Sequence, residues 1–490
     1  MSQKQLKPIF KGIGLSLIAI LLVVFTHGVA LAQIPSRYND LKFPPLPEIQ
    51  LPDYERYQLD NGMVVYLVED HELPLVGGQA IIRTGSRIEP DTQVGLAGIT
   101  GNLMRTGGTK LHSEDELNLI LEQKAASVET SIGIASGGAG FNCLSYDLDS
   151  VFKLFAEVLR EPVFSETQLE LEKTILRGAI ARRNDNPGNI ASREFSKLIY
   201  GNNNPYARTI EYETLDNISR DDVIKFYQEH IRPEQMILGI VGDFDTKEIK
   251  KLINDTLGDW KVNTPIPQTT IPEPSQQNTK GVFLVDQPSL TQSNILLGHL
   301  GGELSNPDYP VLSVINGVFN GFGGKLNKEV RTRQGLAYSV YGVWRGAYDY
   351  PGLFVAGGQT KTETTTDFIK SVLAEIEKIR TNPITTAELN YAKESILNSF
   401  VFQFQDPGQT LSRLMTYEYY NYPQDFIFQY QKGVKQATIE DVKRVANEHL
   451  KTEKIVTLVV GNSEEIKPSL SSLDTLIKMV DITIPDSQKS

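Results

Sequence analysis

The stretch ISRDDVIKFYQEHIRPEQMILGIVGD (Ile218–Asp243) returns as ATIEDVKRVANEHLKTEKIVTLVVGN (Ala437–Asn462). Asp222, Val223, His230 and Gly242 meet Asp441, Val442, His449 and Gly461 at a constant offset of 219 residues. NPGN at Asn186 pairs with DPGQ at Asp406 at an offset of 220, and VVYLVED at Val64 pairs with VFLVD at Val282 at 218. Such a period is far too long for a solenoid, whose units run to about 20–50 residues. It means two copies of one domain, at 53–265 and 281–480, followed by a tail at 481–490. The joint is a linker at 266–280, within TPIPQTTIPEPSQQNTK (Thr264–Lys280), whose proline and polar content suits a connector.

Each copy mixes two periodicities. VVYLV, QAIIRT, MILGIVG, GVFLV, NILLGHL, LFVAG and IVTLVVG are β-branched and apolar runs of strand length. VFKLFAEVLREP sets Val151, Leu154, Phe155, Val158 and Leu159 on one helical face and stops at Pro162. SEDE at Ser113 and SETQ at Ser165 are capping-box patterns that open helices. The fold class is α+β: two homologous domains, each a mixed, mainly antiparallel sheet covered by helices. IASGGAGF (Ile134–Phe141) lacks a following Walker lysine, so it reads as flexible strand ends rather than a phosphate cradle. The aromatic run YEYYNYP (Tyr417–Pro423) reads as packing.

The amino terminus carries Lys4, Lys7 and Lys11, an apolar run from Ile13 to Phe25, and Ala30 and Ala32 in the small-x-small arrangement of a cleavage site. The run is short for a membrane span, which takes about 20 apolar residues. A signal peptide over 1–32 is expected, then an extended, proline-rich lead-in over 33–52, giving a bacterial periplasmic or secreted protein with no span after cleavage. A net charge of −12 argues against a nucleic-acid partner, because phosphate backbones need basic surfaces. The single cysteine, Cys143, has no internal disulfide partner and lies in the apolar run FNCLSY, where a buried thiol is expected.

One further stretch, VGLAGITGNLMRTGGT (Val94–Thr109), has the glycine entry and apolar spacing of a site-bearing helix. Leu96, Ile99, Leu103 and Met104 form an apolar stripe beside Gly95, Gly98 and Gly101. Together with the duplication and the NPGN break, this stretch resembles the insulinase-like metallopeptidases, which include pitrilysin and the mitochondrial processing peptidases. The resemblance implies a clamshell of two such domains. In active members the helix reads G-L-A-H-x-x-E-H: two histidines at i and i+4 hold Zn²⁺, and the glutamate activates the bound water. Here Gly95-Leu96-Ala97 stands, but the histidine positions are Gly98 and Asn102 and the glutamate position is Gly101. The third ligand, a glutamate of a later helix, falls in EKTILRGAI (Glu172–Ile180), where the paired acids become Arg177 and Gly178. No zinc is expected in this chain. His71, His112, His230, His299 and His449 show no pairing at metal spacing, and the repeat-related His230 and His449 read as structural. The glycines suggest close approach by a second helix, which the resemblance makes the one carrying Gly178. The vacated site is then either packed shut or wet.

The second motif region is intact. GGKLNKEVRTRQGLAYSVYG (Gly323–Gly342) holds Arg331 seven residues before Tyr338. Alone, these read as a helix-end charge and a strand tyrosine. In the family's pattern they project into the chamber, where a guanidinium fork and a phenol suit a peptide carbonyl and its developing oxyanion. The resemblance implies a non-catalytic subunit of a two-chain metallopeptidase, inactive alone, that supplies Arg331 and Tyr338. Its partner would be a related chain carrying H-x-x-E-H and the zinc, with an extended peptide as substrate. The alternative is a non-enzymatic peptide-binding or scaffold protein on the same clamshell. No G-x-S-x-G elbow or Cys/His arrangement supports hydrolysis by another route. Whether the chain pairs with itself or with another is open at this point.

Overall fold

A computed structural model describes residues 51–473 and 476–485, which belong to one compact unit. The expected signal at 1–32, most of the lead-in and the end of the tail lie outside the described residues.

The first copy supplies β1 (Glu55–Gln58), β2 (Val64–Glu69), β3 (Leu75–Ile82), β4 (Ser127–Ile132), β5 (Gly137–Leu144) and β6 (Met236–Gly242). They form one sheet in the order β1-β2-β6-β3-β5-β4. The second copy supplies β7 (Gly281–Asp286), β8 (Gln292–Leu300), β9 (Ser339–Arg345), β10 (Leu353–Lys361), β11 (Val456–Gly461) and β12 (Ile477–Met479), ordered β12-β7-β11-β8-β10-β9. The two orders correspond strand for strand apart from the outermost member. β2 pairs parallel with β6, as β7 does with β11. On the outside, β1 runs antiparallel to β2, whereas β12 runs parallel to β7.

The helices of the first copy are α1 (Leu96–Thr106), α2 (Glu114–Gln123), α3 (Leu148–Arg160), α4 (Glu166–Ala181), α5 (Pro187–Tyr200), α6 (Tyr212–Asp216), α7 (Arg220–His230) and α8 (Thr246–Leu257). Those of the second are α9 (Tyr309–Phe319), α10 (Thr365–Thr381), α11 (Thr386–Phe400), α12 (Pro407–Tyr420), α13 (Phe426–Gln436) and α14 (Ile439–His449). The predicted face of α3 is buried throughout, at Val151, Leu154, Phe155, Val158 and Leu159. It meets Phe141 of β5, whose ring centroid lies 5.1 Å from that of Phe155.

The repeated residues have physical roles. Asp222 and Asp441 are the third residues of α7 and α14 in reciprocal capping boxes. Asp222 accepts from the Ser219 amide at 2.8 Å, and Asp441 from the Thr438 amide at 3.0 Å. Ser113 caps α2 in the same way, but Ser165, which precedes α4, makes no side-chain cap bond, so that capping box is corrected. IASGGAGF is corrected too. From Gly137 onward it is an inner strand, β5, paired on both sides, because its glycines extend without blocking the ladder.

The two copies exchange a helix. Helix α5 of the first copy lays Ile190, Ala191, Phe195 and Ile199 on the second sheet, against Phe283, Val285, Leu296, Val456, Leu458 and Val460. Helix α12 of the second copy returns the exchange, setting Leu411, Leu414, Met415 and Tyr419 on Tyr66, Val68 and Ile237 of the first sheet. The NPGN and DPGQ breaks are where each copy crosses over. Asn186 accepts from the Asn189 amide at 3.0 Å and Asp406 from the Gly408 amide at 2.6 Å, each ahead of a proline in the first turn. Each sheet is therefore apolar on both faces around its centre, which is why VVYLV and MILGIVG run apolar without alternation. Gly239 makes the close approach of α12 possible, since a Cβ there would run into the Met415 sulfur. The linker is tied down along the exchanged helix, with the Gln277 amide donating to the Ile199 carbonyl at 2.7 Å.

Candidate functional site

Helix α1 begins at Gly95, whose φ of +111° suits glycine. Its first turn is held by Glu89, which accepts from the Gly95 amide at 3.0 Å and the Ala97 amide at 2.8 Å. Arg208 stands 3.9 Å from the same carboxylate. Burial pushes the Glu89 carboxyl above its ordinary range, against the lowering effect of these three groups. Leu96, Ile99, Leu103 and Met104 are all buried, as the stripe predicts.

The positions that the resemblance aligns with zinc ligands and base have separate surroundings. A Cβ on Gly98 would meet no atom of the described residues within 4 Å. The space beside it is a cavity of about 290 Å³, lined by Glu89, Gly95, Ile132, Tyr206, Arg208 and Ile210 among others. Gly178 on α4 is similarly open, with only the Arg182 guanidinium within reach of a Cβ, at 3.8 Å. Gly101 is sealed. Its carbonyl accepts from the Thr130 hydroxyl at 2.6 Å, and a Cβ there would overlap the backbone nitrogen of Ile132. The close approach inferred from the glycines is thus a backbone approach at Gly101, made by a strand and not by the helix carrying Gly178, and a side-chain approach at Gly95, where a Cβ would lie 3.2 Å from Ile210. Asn102 spans the gap to α4, donating from its amide to Glu172 at 2.9 Å. Arg177 pairs with Asp216 at 2.8 Å.

These residues do not fit a zinc ion. Gly98 and Gly178 offer no donor, Asn102 is held by Glu172, and strand β4 fills the place of a base at Gly101. The histidines lie apart in separate structural roles. His71 meets Asp243 at 2.7 Å, His112 meets Glu157 at 3.1 Å, and His230 packs on Phe226. His299 is pushed down to about 4 by burial and accepts from the Lys451 amide at 3.0 Å. Among the described residues one group has metal-ligating types close together, Asp308, Glu448 and His449. Arg444 bonds both acids, at 2.7 Å and 3.0 Å, so it is an ion-pair network. Cys143 is buried in β5, and burial raises its thiol to about 11, as an inert thiol requires.

Arg331 lies in a π-helical turn, Asn327–Arg333, an uncommon conformation that recurs at functional sites. Buried Leu326 and Val330 anchor the turn, and the Gln334 amide closes it on the Glu329 carbonyl at 3.1 Å. Arg333 folds back on Glu329, with its Nε donating at 2.7 Å. Arg331 is exposed and makes no side-chain hydrogen bond or ion pair among the described residues. Tyr338 is 77% exposed, while its backbone amide is fixed to Gln359 at 3.0 Å. Among the described residues no hydrogen bond joins either side chain to α1. The sequence reading missed Phe322, which is 87% exposed at a turn where Gly321 has φ +76°. Tyr391 pins that turn by accepting from the Gly323 amide at 3.0 Å. Its signal was an apolar ring between glycines in NGFGG.

Comparison with known proteins agrees with this architecture. Residues 64–213 match the insulinase (peptidase family M16) domain, and residues 217–396 match the peptidase M16 inactive domain. A Helicobacter pylori protein named non-peptidase homolog YmxG is 21% identical over 92% of this chain and 99% of its own. The crystal structure of a peptidase M16 inactive domain from Pseudomonas fluorescens matches with a TM-score of 0.77 at 24% identity, covering 85% of this chain and all of that one. The periplasmic protease PqqL of Escherichia coli matches with a TM-score of 0.72 at 18% identity, covering 90% of this chain and 52% of that one. At these identities the structural likeness shows the fold. Among the described residues no helix is long and apolar enough to cross a membrane. With both domain matches in place, the chain belongs to the insulinase family, peptidase family M16, as an inactive homologue.

Proposed function

We propose that this chain is the exported, non-catalytic subunit of a two-chain zinc metallopeptidase. A related partner carrying H-x-x-E-H holds the zinc and its water. This chain contributes Arg331 and Tyr338 to the peptide-cleaving chamber. The observation that carries the reading is the contrast between its two halves. The positions aligned with first-half ligands are glycine, a committed amide or an ion-paired arginine, while Arg331 and Tyr338 stand exposed, with no side-chain partner among the described residues, on a π-helical turn and just ahead of a strand. An Arg fork held in that way suits a peptide carbonyl whose negative charge grows during attack. The basic, apolar amino terminus with its small-residue cleavage pattern supports export to the periplasm.

The test is reconstitution. The chain is mixed with a purified H-x-x-E-H relative from the same genome, and cleavage of an unstructured peptide is followed. Activity in the mixture that exceeds the partner's own supports the subunit role. A stable complex that binds peptide without any gain in cleavage supports the scaffold reading, to which the name of the Helicobacter relative also leans.

A further inference from the structure

Two large cavities lie away from α1, on the face of the first sheet that α12 only partly covers. One, of about 1000 Å³, runs between β3, β5 and β6 and the start of α12. A second, of about 720 Å³, continues toward β4. Gln79, Gly140 and Ser412 line both, so the two form one groove across the strands.

Its floor follows from register. Glu129, Gly140, Gln79 and Gly239 face one another across β4, β5, β3 and β6. In the adjoining row, Asn142 pairs with Gly77. A Cβ on Gly140 would find only the Gly78 carbonyl, at 3.4 Å, and one on Gly138 nothing nearer than 3.9 Å. The floor is therefore bare backbone flanked by side-chain amides. Arg413 of α12 lines the groove and has no carboxylate partner among the described residues. It donates from its terminal nitrogen to Gln403 at 2.9 Å, and its guanidinium carbon lies 5.8 Å from the centre of the Phe404 ring. The mouth carries Asp70, Glu72 and Asp406, and beside them Leu73 and Leu75 are 62% and 49% exposed.

We infer that this groove binds an extended polypeptide segment. Its backbone lies over Gly140, and a basic side chain faces the acidic mouth beside a second, apolar one on Leu73 and Leu75. Charge complementarity selects this occupant: three acids at the mouth against one interior arginine disfavour an anionic ligand. The inference rests on the peptide-holding part of the proposed function and not on its partner.

The test uses the full chain alone and fluorescence anisotropy. The probe is a fluorescein-labelled, unstructured peptide of about ten residues containing leucine and two lysines, compared with its Lys→Glu counterpart. The lysine peptide is expected to bind at least about tenfold tighter. Gly140→Leu, which fills the floor, and Glu72→Lys, which reverses the mouth, should each weaken it by about tenfold or more. Gly138→Leu replaces Gly140→Leu if the latter lowers the melting temperature. Absence of saturable binding, equal binding of both peptides, or binding indifferent to the floor substitutions would overturn the inference. Loss of this binding with intact reconstituted cleavage removes the groove alone. Groove binding without any reconstituted cleavage removes the subunit role alone.

Discussion

The backbone nitrogen of Ile132 occupies the space that a side chain on Gly101 would need. Helix α1 thus lies closer to the edge strand β4 than a helix bearing a side chain at that position could, and the packing of the first domain has no room for the glutamate that the family resemblance puts there. Putting the motif residues back should not put the site back. In Gly98→His/Gly101→Glu/Asn102→His/Gly178→Glu, position 101 is overpacked, a strain that typically costs about 1–3 kcal/mol. Zinc content after dialysis should stay well below one per chain, and the melting temperature should fall. A stoichiometric, tightly held zinc in a chain as stable as the parent would show that the strand yields.

The exchanged helices make each domain depend on the other. Met415 is fully buried against Gly239 and the first sheet. Met415→Ala should destabilise the chain by about 2–5 kcal/mol, the usual range for a buried large-to-small change. A fragment ending before the linker would expose Tyr66, Val68 and Ile237, and it should bind a hydrophobic dye and lack a cooperative melt. A fragment that melts cooperatively would show that α12 is dispensable.

Glu89 gives the entry to α1 a pH dependence whose sign follows from its surroundings. Its carboxyl is raised in the folded chain, chiefly by burial. The folded state then holds this proton more tightly than the unfolded state. The associated stability is fully present below the unfolded value, near 4.5, and is lost as pH rises through the raised folded value. The stability of the parent minus that of Glu89→Gln, from urea unfolding, should be larger at about pH 5 than at about pH 7. A difference that shrinks on acidification would contradict this assignment.

Much of the architecture was legible in the sequence because it is written twice. The offset of 219 marked the duplication, and the repeated Asp222 and Asp441 turned out to be matched helix caps. The family match was legible because its motif frame, Gly95-Leu96-Ala97, still stands in the sequence. The helix exchange was not, since NPGN marks a helix start and says nothing about which sheet receives the helix. The partner of Gly101 was also hidden: glycine records that something comes close, and only the fold says that it is β4. Ser165 had the letters of a capping box without the geometry, its predecessor Phe164 having φ +52°.

If Arg331 and Tyr338 serve a chamber completed by another chain, steady-state kinetics on the reconstituted pair must register their loss. Both side chains are exposed and have no partner among the described residues, so Arg331→Ala and Tyr338→Phe should leave the stability of this chain unchanged, within about 0.5 kcal/mol. The kcat for peptide cleavage by the pair should fall about 10²–10³-fold with Arg331→Ala, the cost of removing an oxyanion donor, and by less with Tyr338→Phe. A pair whose kcat and KM are the same with Arg331→Ala and Tyr338→Phe as without them would contradict the subunit role of these two residues.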